Sequence, residues 1–178
     1  MLEIKKAGIK DISRIQELAF VIWPAAYGNI LSPVQLKYML ELIYSKNALT
    51  SQAEKLKHQF IIVYENGIAV GFASYSPKHK KDHAVYRLHK LYVLPNQQGK
   101  GTGKLLLNYI IEEIKAAGAK ILELNVNRHN VAFHFYTKLG FTIVREEDID
   151  IGGGYLMNDY VMEKKLYPNI EQGTRNLE

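Results

Sequence analysis

The 178-residue chain contains no cysteine. That excludes disulfides, thiolate metal sites and a cysteine nucleophile, and it fits a cytoplasmic enzyme. Long apolar runs are missing too. The segment from Met1 to Asp11 lacks the apolar stretch of a signal peptide, and no later run is long enough to cross a bilayer. Blocks of one charge sign are scarce: although the formal charge is +5, Lys and Arg are interspersed with acids, apart from Lys78-His79-Lys80-Lys81. No zinc-finger, ribonucleoprotein-sheet or helix-turn-helix pattern accompanies them, which argues against a nucleic-acid partner. A mild basic excess suits an anionic phosphorylated ligand. His79 and His83 stand four apart around Lys-Lys-Asp, which reads as a solvated loop and not as a metal site. Repeats and linkers are also absent, so the length fits one domain.

What is present is a clear succession of elements. Leu2 to Lys6 alternates like a short strand, and Asp11 can cap a helix to Trp23 with Ile12, Ile15, Leu18, Ala19 and Ile22 near helical spacing. Ser32-Pro33 opens a second helix over Leu36, Met39, Leu40 and Ile43, and a third helical piece is expected over Ser51 to Lys57. Phe60 to Tyr64 and Ile68 to Tyr75 are strands joined by an Asn66-Gly67 hairpin turn. A charged loop, Lys78 to His83, leads to a strand over Val85 to Val93. Beyond a glycine-rich segment, a helix carries Leu106, Leu107, Ile110, Ile111, Ile114 and Ala117 on one face and stops at Gly118. Ile121 to Val126 is a strand. Asn130 caps a short helix with Val131, Phe135 and Leu139 as its stripe, ended by Gly140. Strands from Phe141 and over Tyr155 to Lys164 flank Gly152-Gly153-Gly154. The order β-α-α-β-β-β-α-β-α-β-β predicts an α/β fold with a mixed sheet covered by helices, spanning residues 1–166, with a polar C-terminal tail over 167–178.

The segment from Leu91 to Lys104 carries the chemistry. A strand delivers the chain to a turn with glycines at 99, 101 and 103, and the N-terminus of an amphipathic helix points its unpaired amides and partial positive charge at the same place. An anion is the expected ligand, with Lys100 and Lys104 adding charge. A P-loop needs four residues between its glycine and the Gly-Lys pair and then Ser or Thr, but Gly99 and Gly103 enclose three and Leu105 follows Lys104. A dinucleotide fingerprint needs glycine where Lys104 stands. Neither pattern is met.

Gln98-x-x-Gly101-x-Gly103 resembles the glutamine/arginine-x-x-glycine-x-glycine/alanine signature of the GCN5-related N-acetyltransferases. Asn125-x-Asn127, Asn130 and Ala132-x-x-Phe135-Tyr136-x-Lys138-x-Gly140-Phe141 look like the strand-helix-strand segment of the same family. The close match runs from about Leu88 to Phe141. The resemblance implies a single acyl-CoA N-acyltransferase-like domain that uses acetyl-CoA as co-substrate. It implies that Gln98, Gly99, Lys100, Gly101, Thr102, Gly103 and Lys104 wrap the pyrophosphate. It also implies that Leu91, Tyr92 and Val93 hold the pantetheine arm by strand-like hydrogen bonds, and that the amide near Val93 serves the oxyanion. Asn130 either contacts the cofactor or is a plain helix cap.

The implied reaction has its own demands. An alkyl ammonium with a pKa of about 10.4 is free amine in roughly one molecule in a few thousand at pH 7, so a base must take its proton. The developing oxyanion needs a donor, and the leaving thiolate benefits from an acid. Tyr136 matches the tyrosine that the family places near the cofactor sulfur, and it stands one step off the apolar stripe; packing at the sheet edge is its alternative role. His89 resembles a histidine of the arylalkylamine acetyltransferases and is the candidate base, with a buried structural role as its competitor; Glu123 is a second candidate.

The resemblance further implies that the acceptor enters between the first helical pair and the last hairpin, where Trp23, Tyr27, Tyr155 and Asp159 are candidate contacts. Met157 and Tyr160 belong to the same group. Glu146, Glu147, Asp148 and Asp150 either attract a polyamine or keep a strand edge soluble. The expected function is acetyl transfer to a primary amine, with a small-molecule acceptor favoured and its identity open between polyamine, amino acid, aminoglycoside and protein. A peptide N-terminal acetyltransferase and a non-catalytic acyl-CoA sensor are the alternatives. A homodimer through a self-pairing Val161 to Leu166 strand is a further expectation.

Overall fold

A computed structural model describes residues 1–167. Twelve principal elements follow one another: β1 (Leu2–Ala7), α1 (Ile12–Tyr27), α2 (Pro33–Tyr44), α3 (Lys46–Glu54), β2 (Gln59–Glu65), β3 (Ile68–His79), β4 (Asp82–Val93), α4 (Thr102–Ala116), β5 (Ile121–Asn127), α5 (Ala132–Lys138), β6 (Thr142–Gly152) and β7 (Tyr155–Lys165). The expected polar tail lies outside the described residues, apart from an exposed Tyr167. Among the described residues no helix is long and apolar enough to cross a membrane.

The order agrees with the sequence reading, while several boundaries move for identifiable reasons. Helix α1 runs through Pro24 to Tyr27, although an internal proline forfeits one backbone bond. The extra turn buries Tyr27 against Trp23, and that packing outweighs the local cost. Asp11 does not cap α1: its carboxylate accepts the Gly8 amide at 2.9 Å, and a 3₁₀ turn over Ile9–Asp11 leads in. Helix α3 starts earlier than expected because Ser45 accepts the Ala48 amide, a second serine cap directly after α2. The segment expected as a charged loop is a hairpin: β3 and β4 stay paired out to His79 opposite Asp82. At the other hairpin, Asn66 and Gly67 adopt φ of +49° and +82°, as a two-residue primed turn requires.

The seven strands form one sheet in the order β1-β2-β3-β4-β5-β7-β6, with β4 and β5 its parallel neighbours. Helices α1 to α3 cover one face around Ile15, Trp23, Leu40, Tyr44 and Phe72. Helices α4 and α5 cover the other around Leu106, Ile110, Ile114, Leu124 and Tyr136. Strand β7 lies between β5 and β6, so of the stretch expected to self-associate Val161 to Glu163 have neighbours on both sides; the edge strands are β1 and β6.

Two irregularities in β4 make the site. Ser74 pairs with Lys90 but Tyr75 pairs with Leu88, so His89 is the extra residue of a β-bulge. The bulge inverts the alternation. Leu88 and then Leu91 and Val93 face the α4 core, while Tyr92 faces α1. Second, pairing of β4 with β5 ends at Leu88 opposite Leu124, although β4 continues to Val93 and β5 to Asn127. Beyond that pair β5 stays with β7 and β4 stays with β3, leaving a wedge between the two parallel strands.

Candidate active site

The glycine loop sits at the mouth of this wedge. Gly99 and Gly101 take φ of +77° and +82°, the left-handed region that glycine enters without penalty, and open space surrounds both. The loop is anchored from beneath by Gln97, which is 1% exposed. Thr102 Oγ1 donates to Gln97 Oε1 at 2.9 Å, and Gln97 Nε2 donates to Glu65 Oε2 at 2.7 Å. A helix leaves the amides of its first turn without internal acceptors. Among the described residues, Gly99, Gly101, Thr102, Gly103 and Lys104 donate to no backbone oxygen. Gln98, Lys100 and Lys104 are exposed around them. The result is a fixed nest of free amides flanked by two lysines, a fit for a diphosphate.

The glycines are not equivalent. A Cβ on Gly103 would meet Phe135 and Leu91 at 3.5 and 3.6 Å, which is ordinary contact, and its φ is not positive. Gly101→Val, forcing a branched residue into the left-handed region, is expected to weaken coenzyme A binding about tenfold, whereas Gly103→Ala changes it less than about threefold. Titration calorimetry of the two variants checks this; equal losses would contradict it.

The unpaired edge of β4 continues the site. Leu94 donates its amide to Val70 of β3, and successive amides point to opposite sides of a strand, so the Leu91 and Val93 amides point into the wedge. Tyr92 departs from the sequence reading. Its amide turns towards β3, and its phenol meets the Tyr27 phenol at 3.0 Å on the α1 side. Tyr136 lines the wedge together with Asn130, Leu124, Leu91 and His89. Burial, with the neighbouring Tyr27 adding to it, pushes the Tyr136 phenol well up, so it remains protonated at neutral pH. Asn130 accepts the Ala132 amide at 2.9 Å and therefore caps α5 while also lining the wedge.

A second cavity of about 120 Å³ lies on the α1–α3 side of the sheet. Trp23, Tyr27, Tyr44, Lys90, Asn125 and Asp159 are among its walls. Tyr27, Tyr92, His89 and Asn125 line both spaces, so the cavity adjoins the wedge. Trp23 Nε1 donates to Tyr44 Oη at 3.1 Å and fixes the aromatic floor. Asp159 is 1% exposed; its Oδ2 accepts Asn125 Nδ2 at 3.2 Å, and its Oδ1 has no partner. Burial pushes this carboxyl above the usual range; Glu147 adds to the rise, against the Asn125 hydrogen bond and the charges of Arg128 and Arg87. Tyr155 is not a wall. It packs on Tyr38 at 5.2 Å, and Tyr38 donates to the Ile151 carbonyl, so the pair clasps the last hairpin to α2. Tyr160 packs on Phe133, against the α4 core.

Neither candidate base is well placed for that role. Glu123 is fully buried, and although burial pushes its carboxyl up, the Lys78 hydrogen bond and the charges of Arg87, Lys78 and Arg145 outweigh it and hold the group below its ordinary value. Lys78 and Arg87 both donate to it, and it lines neither cavity. His89 lines both, but its Nε2 meets Ser76 Oγ at 2.7 Å and its ring stacks on His58 at 3.7 Å. Burial, followed by His58, Lys90 and Arg87, pushes His89 down to about 3. Burial and then Lys90 push His58 down to about 4. Such imidazoles are weak proton acceptors.

The same pair makes the fold acid-sensitive. Unfolded, both histidines titrate near 6.5, so their contribution to stability is complete above about pH 6.5 and is lost as pH falls towards the folded values. The melting temperature is expected to be level near pH 7–8 and to fall from about pH 6.5 downwards. The His58→Phe, His89→Gln double variant should lose that early fall in scanning fluorimetry. A wild-type onset below pH 5 would contradict this.

Lys90, Tyr44 and Asn125 are among the walls that sequence reasoning did not assign to the acceptor. Tyr44 carries no pattern of its own, and Asn125 was read only as part of the Asn125-x-Asn127 motif. Lys90 sits among alternating strand residues, and only the bulge turns it inwards. His79 and His83 are exposed on the β3–β4 hairpin, and among the described residues no three His, Asp or Glu side chains gather as a metal site.

Comparison with known proteins converges on one activity. Residues 15–141 match the acetyltransferase (GNAT) family. A spermidine N(1)-acetyltransferase of Thermoplasma acidophilum is 30% identical over 169 residues, 92% of this chain and 97% of that protein. An L-methionine sulfoximine/L-methionine sulfone acetyltransferase of Salmonella typhimurium is 31% identical over 93 residues, 51% of this chain and 54% of its own length. Among solved structures, the PaiA N-acetyltransferase of Thermoplasma acidophilum in complex with coenzyme A superposes with a TM-score of 0.77 at 28% identity, covering 93% of this chain and 99% of that one.

Proposed function

The chain belongs to the acetyltransferase (GNAT) family and is an acetyl-CoA-dependent N-acetyltransferase; from that premise we propose that its acceptor is a small primary amine whose ammonium is received by Asp159. One observation carries this reading. A carboxylate that is 1% exposed, with one oxygen unpartnered, lines a cavity that adjoins the wedge holding Tyr136. A buried charge without a partner is costly, and an incoming ammonium supplies that partner.

Acetyl-CoA supplies the thioester and leaves as the thiol. The amides of Gly99, Gly101, Thr102, Gly103 and Lys104 are free to grip its diphosphate, with Lys100 and Lys104 adding charge. Leu91 and Val93 offer strand-like hydrogen bonds to the arm. The Val93 amide is the donor for charge developing on the acyl oxygen. Asp159 pairs with the ammonium and, with its affinity for protons raised by burial, accepts the proton that must leave before the nitrogen can attack. Tyr136, kept protonated, donates to the departing sulfur and is reprotonated by the second proton that the nitrogen sheds as the amide forms. Tyr27 and Tyr92, joined phenol to phenol, line the junction of the two spaces.

The walled cavity favours a small molecule over a peptide terminus, which needs an open groove. A cytoplasmic site of action suits the cysteine-free composition. The test is thiol release from acetyl-CoA against a panel of amines and N-terminal peptides, alongside calorimetry with coenzyme A. Turnover of small amines is expected. Binding without turnover of any acceptor would make the chain a sensor, and turnover of peptides alone would move the acceptor outside this cavity.

A further inference from the structure

The acceptor cavity has a second charged wall. Lys90 is 6% exposed, donates its ammonium to Gln52 Oε1 at 2.7 Å and lies over the rings of Tyr44 and Phe60 at 5.5 and 5.8 Å. Among the described residues no carboxylate comes within ion-pairing distance of it. An ammonium has three protons to donate, and the bond to Gln52 uses one. Burial lowers the Lys90 ammonium to about 8, so it keeps its charge at pH 7 beside the neutral His58 and His89. Asp159 stands on β7 and Lys90 on β4, on opposite sides of β5, in the stretch where β4 has already parted from β5. The two charges do not pair with each other, yet they line one cavity.

Resting on the reading above, we propose that the acceptor is zwitterionic: an α-amino acid with an apolar side chain, its ammonium on Asp159 and its carboxylate on Lys90. An α-amino acid offers each wall its opposite charge, an ammonium to Asp159 and a carboxylate to Lys90, each through a charge-assisted hydrogen bond. Leu31, Met39, Ile43, Leu156 and Met157 provide an apolar wall for the side chain. A polyamine would bring a second cation against Lys90. The outer acids that could welcome it are already engaged: Arg128 pairs with Glu146 and Asp148, Arg145 pairs with Glu147, and Asp150 accepts the Gly152 amide.

The experiment compares L-leucine with 3-methylbutylamine, L-methionine with 3-(methylthio)propylamine, and both with spermidine, by thiol release from acetyl-CoA with the full chain. Each amino acid is expected to exceed its decarboxylated counterpart in kcat/KM by about 10- to 100-fold, the worth of a hydrogen bond to a charged group. Lys90→Met is expected to bring that ratio close to one. Lys90→Gln, which keeps a polar head beside Gln52, provides the same reading should the first variant fail to fold. Equal use of acids and amines by the wild type, spermidine as the best acceptor, or an unchanged ratio in the variants would each overturn the zwitterionic acceptor while leaving the N-acetyltransferase intact. Coenzyme A binding without turnover of any acceptor would remove the small-amine reading, and this inference with it.

Discussion

Asp159→Asn is expected to lower kcat/KM by about 10³-fold, within the usual range for loss of a positioned acid or base, and to raise the melting temperature at pH 7. The two effects have one cause. The carboxylate lies buried with Oδ1 unpartnered, and Asn125 serves only its other oxygen. Its folded pKa lies above the unfolded value near 3.9, so the native state binds the proton more tightly. Below that pH both states are protonated and the site costs nothing. As pH rises through the folded pKa the native state acquires an unpaired buried charge, and stability declines and stays lower. Asparagine removes the charge at nearly constant shape. A gain of about 1 kcal/mol would lift the melting temperature by about 2–4 °C for a chain of this size. The gap between variant and wild type should close as the pH is lowered past about 4. Arg128, Arg87 and Glu147 are the charges that reach Asp159 and are present in both proteins. A variant that melts lower and keeps its rate would show Asp159 to be a structural contact and leave the amine without a receptor. Sites that trade stability for chemistry in this way are the ones expected to break local rules.

Which parts of this were legible in the sequence follows from the range of the interactions that specify them. The glycine loop was readable because its requirements are local: left-handed backbone at Gly99 and Gly101, and a helix start directly behind them. The order of strands and helices followed from period and punctuation. Helix α1 was expected to end at Trp23, whereas the burial of Tyr27 that extends it past Pro24 depends on Tyr92, sixty-five residues on. The surroundings of His89 were misread for a similar reason. His89 was assigned the face of Leu91 and Val93 by simple alternation, but the bulge opposite Ser74 and Tyr75 moves it among Ser76, His58 and Lys90. A one-residue slip of this kind exchanges the faces of everything beyond it. Lys90 became a cavity wall by the same event. Tyr155 was assigned to the pocket by its place in the last hairpin, and only the contact with Tyr38 of α2 shows it to be a clasp. Asp159 was legible as a candidate contact but not as a buried carboxyl with an unpartnered oxygen, since its partners Asn125 and Glu147 come from the neighbouring strands β5 and β6.

Tyr136→Phe should lower kcat by about 10²-fold and leave coenzyme A affinity within about threefold. The ring is held by Phe135 at 5.2 Å and Phe141 at 5.5 Å, and phenylalanine keeps both contacts. Among the described residues the Tyr136 hydroxyl has no hydrogen-bond partner, so removing it strands no other group and the fold should lose little stability. Any large effect must therefore come from the reaction. The expected pattern is a fall in kcat and kcat/KM together, which marks an interaction made in the transition state and not in the ground state. Because burial raises the phenol, the wild-type rate should hold up to the ordinary phenol range near pH 10 instead of declining below it. The variant should show the lower rate at every pH. A rate within threefold of wild type would mean that the departing sulfur needs no acid from the protein. Loss of coenzyme A binding would mean that the hydroxyl holds the ligand and not the proton. A chain that binds the cofactor and had no rate to lose would be the sensor, in which Tyr136 is only part of the wall.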